Sequence, residues 1–199
     1  MNDPITESFS PLIGLPCWGA DKWQGSMLSF EFGEPHLIVR EPMDTKSESP
    51  AIRARMARRN VRPVGAWHLW VYCCCWRIFS GAETVAHEEA DDAVITAAMR
   101  ELDGQKLIGV SLETMQRKTT FAFDLGGTLA TWPYDTDNDE QWYLSMPDRR
   151  VLSYRTDGCY SLGASTLRPD EEVWQTLPRE PQTYSIGVPS DPQASGREH

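Results

Sequence analysis

Apolar and polar residues alternate along several short stretches of this chain, and a period of two marks β-strands. Residues 26–32 set Met27 apart from Leu28, Phe30 and Phe32, and residues 119–125 repeat the pattern with Phe121, Phe123 and Leu125. Each stretch runs into a turn signal, Gly33-Glu34-Pro35 or Gly126-Gly127, where glycine supplies the positive φ that tight hairpins need. Return strands are predicted at residues 36–40 and 128–132; Pro42 and Pro133 end them by removing a ladder donor. Residues 67–79 read as one central strand. Trp67, Leu69, Val71, Cys73 and Cys75 fall on one face, His68, Trp70, Tyr72, Cys74 and Trp76 on the other, and both faces are mainly apolar. A further strand is predicted at 142–146, and strands at 151–155 and 159–162 flank the turn Thr156-Asp157-Gly158.

Helical spacing is clear in one place, residues 90–102. Asp91 and Asp92 occupy its first turn, where they favour the positive end of the helix dipole. Ile95, Met99 and Leu102 form a narrow apolar stripe, Ala93, Ala97 and Ala98 leave room for packing on a sheet, and Asp103-Gly104 stops the helix.

The patterns on either side of this helix echo each other. Leu12-Ile13-Gly14-Leu15 returns as Leu107-Ile108-Gly109-Val110, and Phe30-Glu31-Phe32 as Phe121-Ala122-Phe123. Leu37 and Pro42 match Leu129 and Pro133, and Trp67-His68-Leu69 matches Trp142-Tyr143-Leu144. Four short matches in one order predict a duplication. The expected fold is α+β, mainly β: two duplicated antiparallel β-meanders joined by one helix and packed as one pseudo-symmetric domain. The first meander spans 11–80 with a basic insertion at 43–65, the connecting helix lies in 81–104, the second meander spans 105–177, and 178–199 is a flexible tail.

Composition narrows the function classes. The chain has 199 residues, 40% hydrophobic and 24% charged, enough to bury a core. Its net charge of −10 repels phosphate backbones and anionic lipid, so neither nucleic acid nor membrane is an expected partner. Without a signal peptide or an apolar span the chain reads as cytoplasmic, and Cys17, Cys73, Cys74, Cys75 and Cys159 as reduced thiols, the consecutive three buried in a strand. The insertion reverses the local charge, with six basic residues against Asp44 and Glu48. It reads as a mobile excursion in which 51–59 could form one short helix, without the interleaved aromatics of a nucleic-acid surface.

Candidate chemistry is sparse. Asp135, Asp137 and Asp139 resemble the start of a calcium loop, but Glu140 stands where glycine is required and Met146 where a bidentate glutamate is required. The acidic turn with Glu140 is therefore read as a surface for a basic partner, with Glu88, Glu89, Asp91 and Asp92 as a second acidic patch. Gly-x-Ser-x-Gly, Gly-x-Gly-x-x-Gly and the Walker phosphate loop are missing, and no catalytic residue, metal site or cofactor is assigned. His68, among aromatics, reads as a hydrogen-bonded structural histidine. Eight tryptophans are read mostly as core.

The run 29–37 with Gly65-Ala66-Trp67-His68-Leu69-Trp70, and residues 140–144 with 151–158, resemble small bacterial cytosolic proteins of the immunity type. Such proteins bind and neutralise an antibacterial toxin in the cell that makes it. The resemblance implies a non-enzymatic protein that occludes a cognate toxin, a basic and nuclease-type one given the acidic surface. The alternative is a small ligand-binding or enzymatic domain with a Trp-lined pocket between the two repeats. A homodimer through exposed strand edges is a third use of the same scaffold.

Overall fold

The structure, a computed structural model, describes residues 4–135, 137–177 and 183–187. It is α+β and mainly β. The strands are β1 (Cys17–Lys22), β2 (Leu28–Phe32), β3 (His36–Arg40), β4 (Asn60–Val64), β5 (Trp67–Val71), β6 (Cys75–Ser80), β7 (Glu83–His87), β8 (Leu107–Glu113), β9 (Lys118–Phe123), β10 (Gly127–Trp132), β11 (Glu140–Ser145), β12 (Arg150–Arg155), β13 (Cys159–Ala164), β14 (Gln175–Thr176) and β15 (Thr183–Ile186). The helices are α1 (Pro4–Phe9), α2 (Pro50–Met56) and α3 (Asp92–Leu102).

Three antiparallel sheets form. One has the order β1-β2-β5-β11-β12-β13-β14, the second β15-β8-β9-β10-β6-β7, and the third is the isolated pair β3-β4. The two large sheets pack face to face through aromatic side chains: the Phe30 and Phe123 rings stack at 6.3 Å, and Trp142 meets Phe121 edge-on at 6.1 Å. The Trp142 indole N–H donates to Thr119 Oγ1 at 3.0 Å, so its polar atom is satisfied in a dry interior.

Residues 67–79 do not form one strand. The chain leaves the first sheet after Val71 and enters the second at Cys75, with Cys73 at φ +50° in the left-handed region. Cys73 is exposed, Cys74 buried and Cys75 half-buried, so the expectation of three buried strand cysteines is corrected to a sharp corner. Two-sided burial had suggested one long strand, but two shorter strands in different sheets give the same apolar count. Gln141, fully buried, pins this corner: its carbonyl accepts Tyr72 N–H at 3.0 Å, and its side chain accepts from Thr131 Oγ1 and donates to Arg117 O.

β3 forms where predicted but does not return along β2, whose other neighbour is β5. It pairs instead with β4, from the basic insertion, and makes a two-stranded arm. That insertion is thus ordered, with Pro50 to Met56 helical and capped by the Ser49 hydroxyl. Gly65 joins the arm to β5 where a Cβ would lie 2.4 Å from Phe32 O, so only glycine fits there.

α3 begins two residues later than predicted. Ile95, Ala98, Met99 and Leu102 face the core, whereas Ala93 and Ala97 lie exposed. The N-terminal helix α1 was not anticipated; Ile5 and Phe9, one turn apart, reach the core, and Phe9 packs on Phe121 and Trp142. In the segment read as a flexible tail, β15 pairs with β8; residues 178–182 and 188–199 lie outside the described residues.

Candidate functional site

Alternation along β5 and β11 divides their side chains between two environments. Leu69, Val71, Trp142 and Leu144 point into the space between the sheets, which they fill. His68, Trp70, Tyr143 and Ser145 point outward and form the floor of an open cleft of about 980 Å³. The register sets Trp70 beside Tyr143 and His68 beside Ser145.

The opposite wall is the arm. Pairing of Ile38 with Arg62 and His36 with Val64 puts these four residues on one face, and all four line the cleft. Trp23, on the turn between β1 and β2, closes one end, its indole N–H held by Ser29 Oγ at 2.7 Å. The segment between β11 and β12 contributes Met146, Pro147 and Arg149 at the other.

The rings form a continuous series. Trp23 lies 5.4 Å from Trp70, the His68 and Trp70 rings stack at 5.6 Å, and Trp70 and Tyr143 run near parallel at 6.4 Å. Burial raises the Tyr143 phenol above its ordinary value, as does Glu140, while Arg62 works in the opposite direction. Arg62 therefore acts electrostatically across the cleft.

On the same outer face, opposite His68 on the neighbouring strand, Glu31 is buried in the middle of β2. One carboxylate oxygen meets His68 Nδ1 at 2.7 Å and the other accepts Gly65 N–H at 2.8 Å. His68 is hydrogen-bonded, as expected. A carboxylate that accepts both bonds places the imidazole hydrogen on Nδ1 and leaves Nε2 on the ring edge away from Glu31. Glu31 also ties the arm to the sheet, because Gly65 is the joint between them.

The cleft lining carries the guanidiniums of Arg62 and Arg149 against the single carboxylate of Glu34. Among the described residues, no carboxylate lies within ion-pair distance of Arg62 or Arg149. Glu31, bonded to His68, and Glu140 also act on the Tyr143 phenol of the floor.

The acidic residues singled out from the sequence lie elsewhere. Asp135, Asp137 and Asp139 are exposed in the loop before β11; Asp135 accepts Asp137 N–H at 2.9 Å, and the Asp137 and Asp139 carbonyls bind Thr156. Glu140 opens β11 and, second to burial, helps to raise the Tyr72 phenol above its ordinary value. Glu88 and Glu89 precede α3, Asp91 stands at its N-cap position without a side-chain capping bond, and Asp92 pairs with Lys22 at 2.7 Å.

The two acidic patches meet at the cysteine corner. Burial raises the Cys73 thiol, with Asp139, Glu140 and Asp135 adding to the shift; burial, then Glu88, pushes Cys75 up to about 11. Cys74 is raised well above its ordinary value, first by burial. These thiols stay protonated near neutral pH, which makes them poor nucleophiles. Asp91 and Asp92 are not among the groups that act on this corner.

Compared with known protein families, curated proteins and solved structures, the chain finds no match in any of the three. No helix among the described residues is long and apolar enough to cross a membrane.

Sequence reasoning missed Glu31, Arg62, Arg149, Trp23 and Tyr143 as one group. The available signal was a glutamate between two core phenylalanines, followed by a histidine on the aromatic face of a strand. A charge at such a position needs a partner.

Proposed function

We propose that the protein works by binding rather than by chemistry, and that its working surface is the cleft between the outer face of the large sheet and the β3-β4 arm. The carrying observation is the aromatic floor of Trp23, Trp70 and Tyr143 in one cleft with two guanidiniums that have no carboxylate partner among the described residues. Stacking surface and uncompensated charge converging in one concavity are the usual content of a small-molecule site. Saturation-transfer NMR with indole and adenosine tests this reading. The protein should transfer saturation to the rings, and Trp70→Leu should abolish most of it. Equal transfer in both proteins, or none in either, refutes the reading.

The immunity reading is the second, and one observation favours it. Asp135, Asp139 and Glu140 approach the cysteine corner from one side, Glu88 and Glu89 from the other, making one acidic edge suited to a basic toxin in the cytoplasm. Reversal of Asp135, Asp137 and Asp139 to lysine should leave folding intact and weaken capture of such a partner; unchanged capture removes this edge from consideration.

We also infer a duplication. Its support is the strand order: β1, β2 and β5 lie in one sheet before the chain crosses to β6 and β7, and β8, β9 and β10 lie in the other before it crosses to β11 and β12. This order sets β5 against β10 and β6 against β11, so the β5-β11 and β10-β6 pairs exchange, whereas the Trp67 and Trp142 match joins two neighbouring strands of one sheet.

A further inference from the structure

We infer that the cleft selects a low-molecular-weight ligand that carries a flat ring and an anionic group, a carboxylate or a phosphate, on one molecule. The inference rests on the cleft being a small-molecule site and adds the charge of what it takes.

Ring and charge are presented from opposite sides. The floor offers Trp70 and Tyr143, near parallel at 15°, with Trp23 turned over one end and 44% exposed. A third flat ring extends this series at ordinary stacking distance. Arg62 descends from the arm, and its influence on the Tyr143 phenol sets it within electrostatic reach of that floor. Arg149 stands at the far end with φ +63°, a left-handed conformation that a non-glycine residue seldom adopts. The backbone there is fixed from both sides: Arg149 N–H donates to Met146 O at 3.1 Å, and Arg149 O accepts Ser165 N–H at 2.8 Å.

Several arginines of the molecule are already engaged. Arg59 binds Glu41, Arg150 binds Asp148, Arg155 binds Asp157, and Arg168 binds Glu171. Arg40 donates to the carbonyls of Arg55, Met56 and Arg58. Arg55, Arg58 and Arg100 also lack ion pairs among the described residues, but they lie outside the cleft; Arg62 and Arg149 are set apart because both line one concavity. Guanidiniums match carboxylate and phosphate oxygens through paired N–H donors. Neutral rings satisfy only the floor, and a bare anion only the guanidiniums. In the lining itself, cationic rings meet two guanidiniums and one carboxylate, Glu34.

Calorimetric titration of the full chain tests this with matched probes. Adenosine 5′-monophosphate is compared with adenosine and with inorganic phosphate, and indole-3-acetate with indole and with acetate. At least one ring-plus-anion probe should bind roughly tenfold tighter than either of its halves, since a charge-assisted pair is worth about that factor. Arg62→Gln and Arg149→Gln should each remove most of the advantage and leave the affinity of the matching neutral ring unchanged. Binding by the nucleotide alone assigns the anion as phosphate, and binding by the indole acid alone assigns carboxylate; both sustain the inference. Neutral rings that bind as tightly as their anions overturn it while the cleft remains a ring site. Absence of binding by every ring up to about 1 mM overturns both. Circular dichroism of each variant separates lost binding from lost folding.

Discussion

The strands β5 and β11 present two faces made from the same sequence, residue by residue, and the faces have opposite fates. Trp142 points inward, is fully buried, touches Phe9, Phe121 and Tyr154, and has its one polar atom bonded. Tyr143, the next residue, points outward into a cleft where aromatic area and charge remain unengaged. Both are large aromatics in one strand, so composition does not separate them. What separates them is whether the neighbours already use their contacts. An inward aromatic is consumed by packing; an outward one beside unpaired guanidiniums keeps its interactions available.

The strongest way to break this comparison is to exchange the costs. Trp142→Ala should destabilise the fold by about 3–5 kcal/mol, the range for removing a large buried aromatic, whereas Tyr143→Ala should cost about 1 kcal/mol or less. Denaturant midpoints measure both. Equal losses would mean that the outer face is as much core as the inner one.

Glu31 comes next, because it is a buried carboxyl group on the outer face: it lies opposite His68 and holds both that ring and Gly65. Glu31→Leu leaves the Gly65 N–H and the imidazole without their acceptor, a loss of about 1–3 kcal/mol for buried polar groups. Glu31→Gln keeps one acceptor oxygen and should recover part of it. If leucine proves neutral, the arm is held by something other than this carboxylate.

Much of the inner face was legible beforehand because burial enforces alternation. Phe30, Phe32, Phe121, Phe123 and the stripe of Ile95, Met99 and Leu102 all fall where the periodicity puts them. The hairpin at Thr156-Asp157-Gly158 was legible for the same reason, through its turn chemistry. The cleft was not, because its parts come from segments that local pattern cannot join. Arg62 lies in an insertion without aromatics, and the aromatics it faces stand on strands β5 and β11, set opposite by the fold. β3 looked like a return strand because alternation does not say which neighbour a strand will choose. The corner at Cys73 was hidden likewise, since two short apolar strands and one long one share a pattern. α1 was too short for periodicity to reveal.

A third contrast runs between interior and rim thiols. Burial, then Asp103, pushes Cys17 up to about 12, and burial, then Glu88, pushes Cys75 up to about 11. Folded values above the ordinary 9.0 mean that the native state holds its protons longer than the unfolded chain. Stability is then full below pH 9 and falls as pH rises from there toward the folded values. Thermal unfolding under reducing conditions should show this decline, with Cys17 contributing about 2 kcal/mol by pH 10.5. Cys17→Ala should flatten it more than Cys75→Ala. A curve unchanged between pH 8 and 10.5 would place both thiols in water.

The smallest expected effect is the sharpest test of the outer face. Arg62 and Arg149 are exposed, and each lacks an ion pair among the described residues. The double variant Arg62→Gln, Arg149→Gln should therefore shift folding stability by no more than about 0.5 kcal/mol, the usual range for surface substitutions. The sign should be neutral or slightly stabilising, because two like charges no longer share one concavity. At low salt any gain should be largest, and it should vanish as ionic strength screens the pair. A destabilisation above about 1 kcal/mol would show that these guanidiniums already hold the arm in place. Their charge would then be engaged in the fold, and the outer face would differ from the inner one only in exposure.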